Sequence, residues 1–189
     1  MNHTVKEILE IIESIQPFDE IETAHIKDAV QWLKTTDNVF RISKPDNPPK
    51  HLVSYFVLVD KNDKILLLID HIKSGLWLPA GGHVEINENP VTTVKREAKE
   101  ELGLNAEFIT PINNKPLFIT VTKTINGNIH TDVSLWYVLN GDSGIDLDFD
   151  RSEMNGYKWY TFSEVLNTDI NKLDPHMHRF VNKLQQHLT

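Results

Sequence analysis

The chain reads as an α/β protein, a mixed β-sheet flanked by helices, with a helical extension ahead of it. Three observations predict this. From Leu52 onward, runs rich in β-branched and apolar residues recur between short turn sequences. A helix with clear start and stop signals interrupts them between Pro90 and Leu102. Ahead of both, residues 5–34 repeat apolar side chains at helical spacing and lead into a stiff, proline-rich connector. The predicted organisation is an extension over residues 1–48 and a sheet-bearing domain over 50–189.

The extension should hold two helices. Val5, Ile8, Leu9, Ile12 and Ile15 share one helical face, Gln16-Pro17-Phe18-Asp19 breaks the pattern, and Ile21, Ala24, Ala29, Val30 and Leu33 resume it. Lys44-Pro45-Asp46-Asn47-Pro48-Pro49 is the connector. Leu52 to Asp60 and Lys64 to Asp70 then form a hairpin about Lys61-Asn62-Asp63, and Leu76 to Pro79 is a short strand entering a glycine loop. Further strands are predicted over Ala106–Thr110, Leu117–Ile125, Ile129–Leu139 and Tyr157–Tyr160, with an Asn126-Gly127-Asn128 turn joining the second and third. Helices from Ser163 to Leu166 and from Pro175 to Leu188 complete the chain.

The central helix carries the chemistry. Asn89 suits the N-cap, Pro90 the first helical position and Gly103 a left-handed stop. Val91, Val94, Ala98 and Leu102 fall in one narrow sector that should pack on the sheet. Glu97, Glu100 and Glu101 stand at i, i+3 and i+4, so their carboxylates share another stripe. Each like-charge pair costs about a few tenths of a kcal/mol on an exposed helix. A divalent cation offsets that repulsion, and an all-oxygen donor set favours Mg²⁺ or Mn²⁺. A solvated helix laced with charge pairs is the plainer alternative. It fits less well, because Arg96 to Glu100 runs in the less favourable order and Lys95 repels Lys99.

From Gly82 through Glu88 to Arg96-Glu97-Ala98-Lys99-Glu100-Glu101-Leu102-Gly103-Leu104, the chain matches the pattern G-x5-E-x7-R-E-U-x-E-E-x-G-U, with U aliphatic. Ordinary residue frequencies give a chance match on the order of 10⁻⁹ per window. The segment therefore resembles the box of the Nudix hydrolase family, and the resemblance extends over approximately residues 50 to 188. It implies that family's α/β/α sandwich and hydrolysis of a nucleoside diphosphate linked to another moiety. It also implies that Glu97, Glu100 and Glu101 hold Mg²⁺ or Mn²⁺, that Arg96 orients them, and that Glu88 supports them from outside. Gly81 would lend its carbonyl to a metal, Gly82 and Gly103 would shape the box, and the general base would be either a box glutamate or a later acid such as Glu153, which could also be an extra ligand or an ordinary loop acid. The stretches from His130 to Trp136 and from Asp174 to Phe180 look like a bacterial subgroup with an N-terminal helical extension. Isomerases of this fold use a cysteine, and the chain contains none.

Other residues carry weaker signals. His130 and Asp132 alternate to one strand face and could meet phosphate or metal, although strand residues facing solvent are commoner. Asp174 aligns with a base-recognising position of some relatives, and a helix N-cap is its simpler role. His176 and His178 cannot converge on one ion from a helix. Trp77, Phe118, Trp136 and Trp159 could stack on a base, but core packing is the simpler reading.

Composition narrows the field. There are 27 acidic against 19 basic residues, a net charge of −8, so a polyanionic substrate needs a cation for screening. Residues 1–50 are acidic overall, which argues against DNA contact. No run approaches the roughly 18 apolar residues of a membrane span, and the N-terminus lacks a secretory pattern. A cytoplasmic enzyme, with the homodimer common in that family, is the expectation. Two alternatives stand beside it: a nucleotide-sensing module without turnover, and hydrolysis at RNA ends.

Overall fold

The computed structural model describes residues 2–43, 47–124 and 129–188. Lys44, Pro45 and Asp46 of the expected connector, and the expected Asn126-Gly127-Asn128 turn, lie outside the described residues.

Two helices open the chain, α1 (His3–Glu13) and α2 (Glu20–Thr35). Asn2 caps the first by accepting from the Val5 N–H, and Asp19 caps the second by accepting from the Glu22 N–H. Val5, Ile8, Leu9 and Ile12 are buried along one face of α1, as the spacing requires. On α2 the inward position of the first turn belongs to Glu22, fully buried, while the apolar Ile21 is 51% exposed. The reason is the partner waiting for Glu22. Lys183 donates to both of its oxygens at 2.8 and 2.9 Å, and the Phe18 and Ile119 N–H groups donate to it as well.

The sheet is built from β1 (Lys50–Asp60), β2 (Ile65–His71), β3 (Leu76–Leu78), β4 (Ala80–His83), β5 (Phe118–Lys123), β6 (Thr131–Asn140) and β7 (Met154–Thr161). Its main path runs β3-β2-β1-β6-β5, with β4 paired to β1 and β7 to β2. The β1–β6 pair is parallel and the other pairs are antiparallel, which makes the sheet mixed. Leu52, Phe56 and Leu58 point to a face covered by α1, α2 and α3 (Pro90–Leu102). Val57, Val59, Trp136 and Val138 point to the opposite face, covered by α4 (Phe162–Asn167) and α5 (Met177–Leu188). Two apolar layers on either side of one sheet give the three-layer α/β/α arrangement. The apolar residues of α1 and α2 belong to the same buried cluster as those of β1 and α3. Among the described residues no helix is long and apolar enough to cross a membrane.

Three expectations are corrected. Ala106–Thr110 does not form a strand; it makes one isolated bridge, Phe108 to Leu139. Its backbone reaches only the end of β6, through Ile109 N–H to Val138 O and Asn140 N–H to Glu107 O, and Pro111 then has no N–H to continue a ladder. Conversely, the glycine loop after Pro79 is a strand: Ala80 to His83 pair with Phe56 to Val53. Gly81 allows it, because its φ of 140° is open to glycine and strained for other residues. The terminal helix starts at Met177 rather than Pro175, and a short 3₁₀ turn, Ile170–Lys172, precedes it.

Candidate active site

Helix α3 is positioned by local signals. Asn89 accepts from the Val91 N–H, Pro90 occupies the first turn, and Gly103 ends the helix with φ 68°. Val94, Ala98 and Leu102 are buried against the sheet, which turns the glutamate stripe toward β4.

Arg96 is the hub of the charge network. Its Nε donates to Glu88 Oε1 at 3.2 Å and its Nη2 to Glu88 Oε2 at 3.1 Å. Its Nη1 reaches Glu97 Oε1 at 2.6 Å and Glu100 Oε2 at 3.2 Å, and Nη2 also donates to the His83 carbonyl at 3.1 Å. One planar guanidinium thus fixes three carboxylates and the end of β4 together. Glu88 accepts further from Thr93 Oγ1 and the Glu85 N–H. Burial opposes its charge, yet Arg96 and those donors hold its carboxyl below the usual range.

Glu97 and Glu101 face the glycine strand. Glu97 fills the space where a Gly82 side chain would stand: a Cβ there would lie 2.1 Å from Glu97 Oε1. Burial raises its carboxyl pKa in spite of Arg96. Glu101 Oε2 accepts from the Gly81 N–H at 2.8 Å. Burial first, and the neighbouring Glu97 charge second, push Glu101 up to about 8. Glu100, by contrast, is 60% exposed at the rim. Two crowded, poorly solvated carboxylates beside a glycine strand form the oxygen-rich donor set that a hard dication requires.

Glu153 stands before β7, paired with Lys73 Nζ at 3.2 Å and 3.9 Å from His71 Nε2. Its charge reaches Glu101, adding to the upward shift there. Asp174 is buried at the entrance to α5, where its Oδ1 accepts from the His176 N–H at 2.8 Å and its own N–H donates to the Trp77 carbonyl. Burial raises Asp174 to about 6. Half-buried Tyr55 of β1 lies within the fields of Asp174, Asp132 and Glu101, which add to desolvation in raising its pKa.

His130 and Asp132 do point together, with His130 Nε2 3.3 Å from Asp132 Oδ1. The sequence reading missed their companions. His51 of β1 is fully buried with Nε2 3.1 Å from the same Oδ1, and the His83 ring lies tilted against it with ring centroids 4.8 Å apart. Burial disfavours a charge on His51, but Asp132 and the Pro48 carbonyl outweigh it and raise its pKa. Burial and the Arg41 charge lower His83 to about 3. The usable signal was strand alternation, since His51 and His83 join the group only once β1 is registered against β4 and β6.

The remaining candidates separate. His176 meets Arg179 Nη1 and the His25 ring, whereas His178 meets the Thr168 carbonyl. Phe118 and Trp136 are wholly buried and pack on Phe180, and Trp77 packs edge-on against Tyr160. Trp159 packs against the α1–α3 side of the core.

A model of the NUDIX domain matches residues 49–184 of the chain. A MutT-like protein of Streptomyces ambofaciens is 41% identical over 61 residues, 32% of this chain and only 40% of that protein's length. A protein of Lactococcus lactis subsp. cremoris named "Probable DHNTP pyrophosphohydrolase" is 30% identical over 130 residues, covering 66% of this chain and 76% of the relative. The crystal structure of a NUDIX family hydrolase from Clostridium perfringens superposes with a TM-score of 0.56 at 24% identity, over 72% of this chain and 97% of that one. This last likeness is one of fold.

Proposed function

The chain belongs to the Nudix family of hydrolases, and on that premise we propose that it cleaves the P–O–P bridge of a nucleoside diphosphate linked to another moiety, using Mg²⁺ or Mn²⁺. The observation that carries this reading is the pair of carboxylates, buried Glu101 and largely buried Glu97, crowded against Gly81 and Gly82. Nothing cationic but Arg96 accompanies them among the described hydrogen bonds, and Arg96 touches Glu97 but not Glu101. A dication is the chemistry that balances them.

Glu97, Glu101 and the more exposed Glu100 are the proposed ligands, with the Gly81 carbonyl as a backbone donor. When bound, the metal supplies an activated water and screens the diphosphate. Arg96 holds Glu97 and Glu100 in place and is itself anchored by Glu88. Glu153 takes the role of general base: it is partly exposed, lies beside Lys73 and His71, and contributes its charge to the field at Glu101. The Lactococcus relative's name supports pyrophosphate-bond cleavage as the reaction class. Asp174 is proposed to contact the substrate beyond the diphosphate, and His130 and Asp132 to meet phosphate or a metal.

The test is a substrate panel with Mg²⁺ and with Mn²⁺: nucleoside triphosphates, oxidised deoxynucleotides, ADP-ribose, nucleotide sugars and dinucleoside polyphosphates. At least one should be hydrolysed at a phosphoanhydride. Glu97→Gln and Glu101→Gln should each lower turnover by about 10²-fold or more, since even outer-shell changes at metal sites cost roughly 10–100-fold. A folded protein inactive on every class, or active Gln variants, would reject the assignment. Binding without turnover would instead mark a nucleotide sensor.

A further inference from the structure

A second cluster of ligating side chains lies outside the glutamate stripe. His51, His83, His130 and Asp132 each offer one ligand atom, and all of these atoms lie within 4.8 Å of one another. The sheet assembles them. His51 is opposite Asp132 in the parallel β1–β6 register, and His130 lies two residues before Asp132, on the same face. His83 of β4 is opposite Val53, two residues along from His51 and again on that face.

The hydrogen bonding in the cluster is incomplete in a specific way. The Pro48 carbonyl can only accept, so His51 Nδ1, 2.8 Å away, carries its proton and donates. His51 Nε2 then meets Asp132 Oδ1 at 3.1 Å, but without the alignment of a hydrogen bond: both atoms are buried and without such a partner, and so is His83 Nε2. His51 Nε2, His83 Nε2 and Asp132 Oδ1 are thus buried polar atoms without hydrogen-bond partners inside one four-residue cluster. The rings are 4.8 and 5.0 Å from centroid to centroid, too close for more than one to be charged at little cost. Neutral imidazole is the form that binds metal. The far nitrogens are already engaged, His51 Nδ1 by Pro48 and His130 Nδ1 by Thr124 Oγ1 at 3.3 Å, which orients the rings as outer partners do at metal sites.

We propose that His51, His83, His130 and Asp132 form a binding site for a first-row transition-metal dication of the zinc class, separate from the glutamate site. Three nitrogens and one carboxylate oxygen are a tetrahedral zinc donor set, with metal–ligand distances of about 2.0–2.2 Å. Ligands at that distance stand roughly 3.3–3.5 Å apart, close to the 3.1 and 3.3 Å separations from Asp132 Oδ1. Imidazole selects such metals over Mg²⁺, which prefers the all-oxygen set on α3. The ion would tie β4, β1 and β6 together beside Gly81 and Gly82. Arg96, donating to the His83 carbonyl, joins the two sites mechanically.

The experiment strips the purified full chain with EDTA, reloads it with Zn²⁺ in excess Mg²⁺, and measures retained metal by mass spectrometry and affinity by titration. One zinc per chain should be retained. The double variant Glu97→Gln/Glu101→Gln should keep it. His130→Gln and Asp132→Asn, at the less buried side of the cluster, should each weaken zinc by more than the roughly 10–100-fold of an outer-shell change. They should also abolish the visible spectrum of the Co²⁺-loaded protein. Circular dichroism in EDTA checks folding, and either folded variant suffices. No retained zinc would overturn the proposal and leave a proton shared between His51 and Asp132 in the metal's place. Retention unchanged by both cluster substitutions, or lost in the glutamate variant, would overturn it as well.

Discussion

Glu101 Oε2 accepts the Gly81 N–H at 2.8 Å, so the last turn of α3 is latched to the middle of β4 by the carboxylate whose charge the site least tolerates. The bond fixes where Glu101 points, and burial decides what state it is in. Without a dication the carboxyl is held up to about 8, well above its ordinary value of 4.5. The folded chain therefore binds this proton more tightly than the unfolded chain does.

Stability in EDTA should consequently fall as pH rises. Between about 4.5 and 8 the folded state holds a proton that the unfolded state has released, so the contribution present below 4.5 is lost progressively up to the folded value. Glu101→Gln keeps an acceptor for the Gly81 N–H and removes the ionisation. Urea unfolding at pH 5, 7 and 9 should show the Gln variant gaining on the wild type as pH rises, and Mg²⁺ should narrow the gap by stabilising only the wild type. A gap that does not change with pH would count against burial as the cause.

The two adjacent glycines should fail differently. A Cβ on Gly82 meets the far end of a flexible side chain, Glu97, at 2.1 Å. A Cβ on Gly81 meets the Ser54 carbonyl at 2.2 Å and Tyr55 Cα at 2.8 Å, at a φ of 140°. Gly82→Ala should displace the Glu97 carboxylate and lower turnover by about tenfold or more, as small misplacements of catalytic groups do, while leaving the melting temperature near wild type. Gly81→Ala should destabilise the fold by about 1–3 kcal/mol or more from backbone strain alone. Thermal melts paired with turnover on the best panel substrate separate the two outcomes; equal loss of stability in both would contradict them.

The extension is clamped to the rest of the chain by a buried ion pair. Glu22 is fully buried and Lys183 2% exposed, and Glu22 also accepts the Ile119 N–H at 3.2 Å, covering the edge of β5. Glu22→Ala strands the Lys183 ammonium and two amides, and should cost about 3–5 kcal/mol. Lys183→Met should cost less, because Glu22 still accepts from both amides and the Met side chain fills the space of the lysine stem. Chemical denaturation of the three proteins gives the ranking, and a Met variant as damaged as the Ala variant would refute it.

What the sequence determined by itself was whatever depends on neighbours along the chain. Asn89, Pro90 and Gly103 set the limits of α3 through capping and left-handed geometry, and the 3.6-residue period placed Glu97, Glu100 and Glu101 on one stripe and Val94, Ala98 and Leu102 on another. Both are short-range effects, so both could be read before any fold was known. Ala106–Thr110 misled because its strand-like composition says nothing about how far a neighbour extends beside it. The tertiary structure alone decided that Ala80–His83 would pair with β1, that Glu22 rather than Ile21 would turn inward, and that His51 and His83 would meet His130 and Asp132. Those outcomes rest on strand register and on partners distant in the chain. Alternation within one strand says which face a side chain takes, but not which strand lies beside it, so His51 and His83 could not be matched to His130 and Asp132 before the pairing was known.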